Sequence, residues 1–293
     1  MLKRLPEDLR GLRVPNPTWP YFEGAGLRPF EAEAPGFRLA NAWWLAEASF
    51  LAYLDDPEAI RASLARVGRT EVRIFESERL RAVLARGAGP AWLIFRGTLI
   101  SSRRNLVTDL RVRLVSHRGA GRVHRGFAEA FDHLRPALEA ASSGADPIFV
   151  TGHSLGAALA TLAADELGPR ARLYGFGSPR VGDADFAAGF RCPRAYRVVV
   201  EHDLVAELPP PLLYRHVGEL HRILGDGRHL VGSAAELDLK ERFERNLRER
   251  LPGIVRRATD AASLGGEALR ENAITDHAPV SYAVRLWNAL ERR

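Results

Sequence analysis

The chain has 293 residues, enough for one large α/β domain with a sizeable hydrophobic core or at most for two small domains. Its 46% hydrophobic and 27% charged residues are ordinary for a globular protein, and no apolar run in the sequence is long enough to cross a bilayer. The net charge is +6, and the basic residues are spread along the chain and interleaved with acidic ones. Since the sequence also has no recognisable nucleic-acid-binding module, we expect no nucleic-acid partner.

Cys192 is the only cysteine, so an intramolecular disulfide cannot form, and we interpret it as a structural thiol. The first residues carry charge but no apolar segment of a secretory signal. This favours a cytoplasmic location and leaves export without a signal open. The sequence does not indicate the oligomeric state.

The predicted elements alternate between helices and strands after an irregular, proline-rich arm over 1–37. Helical periodicity and composition predict helices over 38–54, 56–67, 127–141, 157–167, 185–190, 233–250 and 277–290. Apolar, β-branched runs predict strands over 71–76, 91–96, 147–151, 172–175 and 196–200. The alternation over 217–224 predicts an antiparallel or edge strand, and 79–86 is ambiguous.

This alternation favours one α/β domain over 1–293, with a mostly parallel central sheet and helices on both faces. The charged segment over 226–270 is interpreted as a helical cap inserted into that domain. Ligands of such sheets bind at the carboxyl ends of the strands.

The most informative motif is Gly152-His153-Ser154-Leu155-Gly156, between the strand at 147–151 and an alanine- and leucine-rich helix. Strand, G-x-S-x-G and helix form the context of a nucleophile elbow, in which a sharp turn presents the serine. Two glycines around a serine also occur by chance. The hypothesis therefore depends on finding a base and an acid in the order Ser, then Asp or Glu, then His.

Candidates for both partners follow Ser154. The histidines are His202, His216, His221, His229 and His277. Only His277 lies near the carboxyl end, just before the last helix, where this chain order places the base. Asp203 stands just past the strand at 196–200, where a loop carboxylate could reach an imidazole.

The chain resembles the class 3 lipases, the family that includes the fungal triacylglycerol lipases. The resemblance covers roughly 40–290 and follows the family's order through the segments 45–53, 95–98, 105–110, 123–127, 152–156, 175–182, 202–210 and 276–282. It implies the α/β-hydrolase fold. A departure occurs at Leu106, where the fungal lipases have a lid tryptophan.

The resemblance implies Ser154 as nucleophile, Asp203 as orienting acid and His277 as general base. It further implies an oxyanion hole from the backbone N–H groups of Thr98 and Leu155. A lid over 99–110 would carry the apolar residues Ile100, Leu106, Val107 and Leu110.

The expected function is a serine carboxylester hydrolase of the lipase type, acting on lipid or small ester substrates with transient contact to a lipid interface. We expect no cofactor and no metal. Two alternatives remain open: a phospholipase A1 on anionic membranes, suggested by the positive charge, and a catalytically silent binding protein on a lipase fold.

Overall fold

The computed structural model describes residues 2–6, 12, 14–78, 80–97, 113–144, 147–201, 203–209, 211–232 and 275–293. Its strands are β1 (Glu71–Ser77), β2 (Leu80–Gly87), β3 (Gly89–Phe95), β4 (Leu114–Ser116), β5 (Arg122–His124), β6 (Ile148–His153), β7 (Ala171–Phe176), β8 (Ala195–Val200), β9 (Glu219–Ile223) and β10 (His229–Val231). Its α-helices are α1 (Leu39–Leu51), α2 (Pro57–Ala65), α3 (Arg125–His133), α4 (Arg135–Ser142), α5 (Leu155–Leu167), α6 (Ala184–Ala188) and α7 (Pro279–Glu291).

The main sheet has the strand order β1-β2-β3-β6-β7-β8-β9-β10. Neighbours from β3 to β9 are parallel, whereas β1–β2, β2–β3 and β9–β10 are antiparallel. This arrangement confirms the predicted mostly parallel sheet of the α/β-hydrolase class. The carboxyl ends of β6, β7 and β8 therefore lie side by side at one edge.

Helices cover both faces of the sheet, and alternate residues of β3 pack into the two hydrophobic cores that result. Trp92 and Ile94 belong to the core on the side of α1 and α7, whereas Leu93 and Phe95 belong to the core on the side of α3, α4 and α5. Successive strand residues point to opposite faces, so a strand with both faces buried is apolar throughout. All six residues of β6 are buried for this reason.

Two local predictions differ from the structure in part. The single helix predicted over 127–141 is two helices, because Pro136 lacks an N–H group and fits the first turn of α4 but not a helix interior. The strand predicted over 217–224 as antiparallel or edge contains β9, which pairs antiparallel with β10 but parallel with β8 on its other side, so it is not an edge strand. The ambiguous stretch 79–86 overlaps β2.

In the described residues of the predicted arm over 1–37, a short 3-10 helix, Ala25–Leu27, lies among turns and irregular segments. The predicted cap over 226–270 contains β10, so its first residues are not helical. Residues 233–270 of that segment and the whole predicted lid, 99–110, lie outside the described residues.

Candidate active site

Ser154 lies at the sharp turn between β6 and α5. Its φ of 59° and ψ of −127° are outside the regions that residues with a side chain ordinarily adopt. Such a conformation costs on the order of 1–3 kcal/mol and persists only when the surroundings impose it. Here the backbone N–H of Ser154 donates a 3.0 Å hydrogen bond to the carbonyl of Phe176 in β7. This is the backbone geometry of a nucleophile elbow.

Two glycines make the close approach of strand and helix sterically feasible. A Cβ atom on Gly152 would lie 2.3 Å from the carbonyl oxygen of Gly156. A Cβ atom on Gly156 would lie 2.2 Å from the carbonyl oxygen of Phe95. Both contacts involve backbone atoms, which cannot rotate away, so the turn excludes any other residue at these two positions.

Ser154, His277 and Asp203 form one hydrogen-bonded row. His277 Nε2 lies 2.9 Å from Ser154 Oγ, and His277 Nδ1 lies 2.8 Å from Asp203 Oδ2. Asp203 follows β8, and His277 lies two residues before α7. All three side chains are buried. The chain thus brings together three residues separated by 74 and 123 positions in sequence.

Asp203 is stabilised as a carboxylate by further donors. Tyr282 Oη donates a 2.5 Å hydrogen bond to Oδ2, and the backbone N–H of Val205 donates a 2.9 Å bond to Oδ1. Burial by itself raises the pKa of Asp203. The charge and hydrogen bond of His277 and the bond from Tyr282 more than offset this, so the pKa falls below its ordinary value.

Gly177, just after β7, leaves room for this carboxylate. Its φ is +56°, which disfavours any residue with a Cβ atom. A Cβ there would lie 2.5 Å from Asp203 Oδ2 and 2.9 Å from Tyr282 Oη. The absence of a side chain at Gly177 is therefore part of what sets the position of Asp203.

His153 and Tyr53 form a neutral pair beside the row. His153 Nδ1 lies 3.0 Å from Tyr53 Oη, and the His153 and His277 rings are 4.6 Å apart. Burial, followed by the charge of His277, lowers the pKa of His153 to about 3. Burial also raises the pKa of Tyr53. The pair therefore adds no charge next to His277 at neutral pH.

Sequence reasoning gave no role to Tyr53, His153, Gly177 or Val205, and it noted Tyr282 only as following His277. These residues act through contacts between distant segments, such as Tyr53 with His153 at a separation of 100 positions. The one available signal was the position of His153 inside the elbow motif.

One of the two predicted oxyanion donors is described. Leu155 is the first residue of α5, so its backbone N–H has no acceptor within the helix and lies next to Ser154. The positive end of the helix dipole lies there as well. Thr98 and the predicted lid residues Ile100, Leu106, Val107 and Leu110 lie outside the described residues.

The other histidines and the cysteine have separate surroundings. His216 Nε2 lies 2.8 Å from the carbonyl of Ala206, and His221 and His229 are hydrogen-bonded to each other at 2.9 Å. His202 is outside the described residues. Cys192 is buried, donates to the carbonyl of Ala171, and has a pKa that burial raises to about 11. A thiol of this kind is a poor nucleophile.

Two further searches cover only the part of the chain that the structure describes. Within it, no group of three or more His, Cys, Asp or Glu side chains is placed to hold a metal ion. No helix there combines the length and apolar character that a membrane span requires.

Comparison with known proteins agrees with this geometry. The family model described as Lipase (class 3) matches residues 92–213. The chain is 46% identical over 107 residues to a secreted mono- and diacylglycerol lipase 1 from Fusarium solani, and 34% identical over 172 residues to a lipase from Rhizomucor miehei. These alignments cover 32% and 51% of this chain.

A solved triacylglycerol lipase, described as having a serine protease triad at its catalytic centre, superimposes with a TM-score of 0.50 at 25% identity. The superposition covers 65% of this chain and 82% of that one. The sequence matches are shorter: the chain spans 32% of the Fusarium solani protein and 47% of the Rhizomucor miehei protein.

Proposed function

Because the chain belongs to the class 3 lipase family, we propose that it is a serine hydrolase of lipid esters in which Ser154 is the nucleophile, His277 the general base and Asp203 the orienting acid. The observation that carries this proposal is the unbroken row of hydrogen bonds from Ser154 Oγ through both nitrogens of His277 to Asp203. A serine hydroxyl becomes a useful nucleophile only when such a base removes its proton.

The reaction then has two halves. Ser154 Oγ attacks the ester carbonyl while its proton passes to His277 Nε2, and the negative charge that develops on the carbonyl oxygen is stabilised by backbone N–H donors. His277 next gives the proton to the leaving alcohol, which departs and leaves an acyl group on Ser154. Water, deprotonated by His277, attacks this acyl group. The bond from the acyl carbon to Ser154 Oγ then breaks, His277 returns the proton to Oγ, and the carboxylic acid is released.

The donors for the oxyanion are proposed to be the backbone N–H groups of Leu155 and Thr98. Leu155 supports this by its place at the first turn of α5. Gly97, the last described residue before Thr98, supports it because a Cβ there would lie 2.5 Å from the carbonyl oxygen of His153. The end of β3 therefore reaches the elbow.

The substrate class is proposed to be acylglycerols or related lipid esters, reached through transient contact with a lipid interface. The names of the relatives support lipids as the class. We further propose that 99–110 acts as a lid, with Ile100, Leu106, Val107 and Leu110 on its apolar side. The Fusarium solani relative is named as secreted, which gives no support to the cytoplasmic location that the sequence favoured.

A second candidate function is a phospholipase A1 that acts on anionic membranes, which the net charge of +6 favours. The rates on tributyrin emulsions and on phosphatidylglycerol vesicles, measured at low and at high salt, distinguish the two. Faster hydrolysis of phosphatidylglycerol, declining as salt rises, would favour the phospholipase.

The decisive test is the Ser154→Ala variant assayed on p-nitrophenyl butyrate and tributyrin. We expect the rate to fall by at least a thousandfold, because the variant lacks the hydroxyl that lies within hydrogen-bond distance of His277 Nε2. Labelling by a fluorophosphonate probe should disappear in the same variant. Ser63→Ala, another buried serine, on α2, is the matched control and should keep both properties. Unchanged hydrolysis by Ser154→Ala, or wild-type protein that the probe does not label, would contradict the proposal and favour the silent binding protein.

A further inference from the structure

A groove of about 410 Å³ lies at the end of the sheet opposite Ser154. Gly89, the first residue of β3, lines this groove, whereas Phe95, the last, pairs with Gly152 beside the elbow. A strand rises about 3.3 Å per residue, so the two sites are roughly 20 Å apart. The groove is therefore separate from the candidate active site.

The walls of the groove are aromatic and its only charged lining residues are cations. Phe30 and Trp44 form apolar walls, the fully buried Trp92 ring packs against both of them, and Arg66 and Arg69 supply the charges. No Asp or Glu is among the lining residues that the structure describes. A concave surface with aromatic walls and a few polar groups is the common form of a small-molecule site.

Arg69 is a buried cation without an anionic partner. It is 3% exposed, its guanidinium stacks 4.2 Å from the Trp92 ring centre, and its Nη1 donates a 2.8 Å hydrogen bond to the carbonyl of Pro90. Within the described ranges, no carboxylate pairs with Arg69 or with Arg66. Burial lowers the pKa of Arg69 to about 10, with no neighbouring negative charge to offset it. Charged groups buried in this way are normally paired.

Two buried N–H donors at the groove also lack acceptors. Among the described residues, Arg69 Nε and Trp92 Nε1 have no hydrogen-bond partner, and Trp92 is fully buried. Unsatisfied buried donors are uncommon in native proteins and call for an explanation. An arginine side chain is a donor only, so a ligand that pairs with Arg69 must present acceptor oxygens.

We propose that this groove binds an amphipathic oxyanion, a molecule with an acid group at Arg66 and Arg69 and an apolar chain against Phe30 and Trp44. A medium-chain carboxylate and an alkyl phosphate share this chemistry. The guanidinium of Arg69 offers the planar donor edge that either headgroup accepts. This proposal depends only on the residues of the groove, so it does not require Ser154 to be a nucleophile.

The test is calorimetric titration of the full chain with octanoate, octyl phosphate, 1-octanol and inorganic phosphate. We expect at least one of the two amphipathic anions to bind at least tenfold more tightly than 1-octanol and than inorganic phosphate. The tighter of octanoate and octyl phosphate identifies the headgroup. Binding of 1-octanol equal to that of both anions would show that charge is not recognised, and absence of binding by both anions would equally overturn the proposal.

Variants then locate the binding. Gly26 lines the groove and Gly36 does not; a Cβ on either would meet no atom within 4 Å. Gly26→Leu should block the groove and abolish binding, whereas Gly36→Leu, the matched control, should bind as the wild type does. Arg66→Gln, at an exposed position, should weaken binding by about tenfold, and Arg69→Gln by more. Binding that survives Gly26→Leu and Arg66→Gln would place the ligand elsewhere and overturn the proposal.

Discussion

Tyr282 and Asp203 are joined by a 2.5 Å hydrogen bond to the same carboxylate oxygen, Oδ2, that accepts from His277. Asp203 Oδ2 therefore accepts two hydrogen bonds, one from the proposed base His277 and one from Tyr282 on α7. This contact links the position of the last helix to the charge of the proposed catalytic acid.

Replacing Tyr282 by phenylalanine tests that link. The hydrogen bond lowers the pKa of Asp203, so its loss should raise that pKa. We expect kcat on p-nitrophenyl butyrate to fall several-fold with KM little changed, because His277 is oriented less firmly. The free energy of unfolding at pH 7 should fall by about 1.5–3 kcal/mol, the range for a hydrogen bond to a charged group.

The pH dependence of stability separates this role from simple packing. A carboxyl group whose folded pKa is lowered contributes stability above its unfolded pKa and loses it as the pH falls through the folded pKa. The difference in the free energy of unfolding between the wild type and Tyr282→Phe should therefore be present at pH 7 and become smaller below pH 4. Tyr214→Phe is the control, since the buried Tyr214 hydroxyl has no hydrogen-bond partner among the residues that the structure describes. A difference that stays constant with pH would argue against the effect on Asp203.

Asp203→Asn removes the charge while keeping the size of the side chain. Without the carboxylate, His277 loses the partner that sets its tautomer and stabilises its protonated form. We expect kcat to fall by about 10³–10⁴, with a folded protein by circular dichroism. Asp183→Asn is the control, because Asp183 caps α6 through the Phe186 N–H and pairs with Arg122. Its kcat should stay within twofold, and an equal loss in both variants would contradict the role of Asp203.

Gly177 and Gly175 offer a paired test of the space beside Asp203. A Cβ at Gly177 would meet Asp203 Oδ2 at 2.5 Å with φ at +56°, whereas a Cβ at Gly175 would make ordinary contacts at 3.6 Å or more. We expect Gly177→Ala to lower kcat at least tenfold and to lower the free energy of unfolding by about 1 kcal/mol or more. Gly175→Ala should change kcat less than twofold. Equal kcat values for the two variants would show that Asp203 tolerates displacement.

Local pattern and chain order indicated Ser154, Asp203 and His277. The elbow motif consists of adjacent residues, so the sequence shows it directly. Asp203 follows a strand recognisable as an apolar run, and His277 is the histidine just before the last helix. The mostly parallel sheet was predictable for the same reason. The supporting contacts were not. Tyr282 and Asp203 are 79 positions apart, and the residues near each of them do not indicate that the two side chains meet.

Short elements were also missed. The β4–β5 hairpin has strands of three residues, too short for alternation to be recognised. The division of 127–141 into α3 and α4 is marked in the sequence by Pro136, although the helical composition continues on both sides of it.

Glu47, buried in α1, should make the protein less stable as the pH rises towards 8. Burial raises the pKa of Glu47 to about 7, although the charge of Lys3 and the hydrogen bonds from Trp19 Nε1 and the Phe22 N–H lower it in part. The folded state therefore holds this proton more tightly than the unfolded state. The resulting stability is fully present below about pH 4.5 and is lost as the pH rises through about 7, by roughly 3 kcal/mol in all.

Glu47→Gln should remove this loss, because the amide oxygen can still accept from Trp19 and Phe22 but never ionises. We expect urea unfolding at pH 4.5, 6, 7 and 8 to show that the free energy of unfolding of the variant rises relative to that of the wild type at each higher pH. At pH 8 the variant should have the larger free energy of unfolding. Asp203 titrates below this window and does not disturb the comparison. Glu33→Gln, at an exposed position on the arm, is the control and should follow the wild type throughout. If Glu47→Gln also follows the wild type, Glu47 is ionised in the folded protein and its charge is compensated by Lys3.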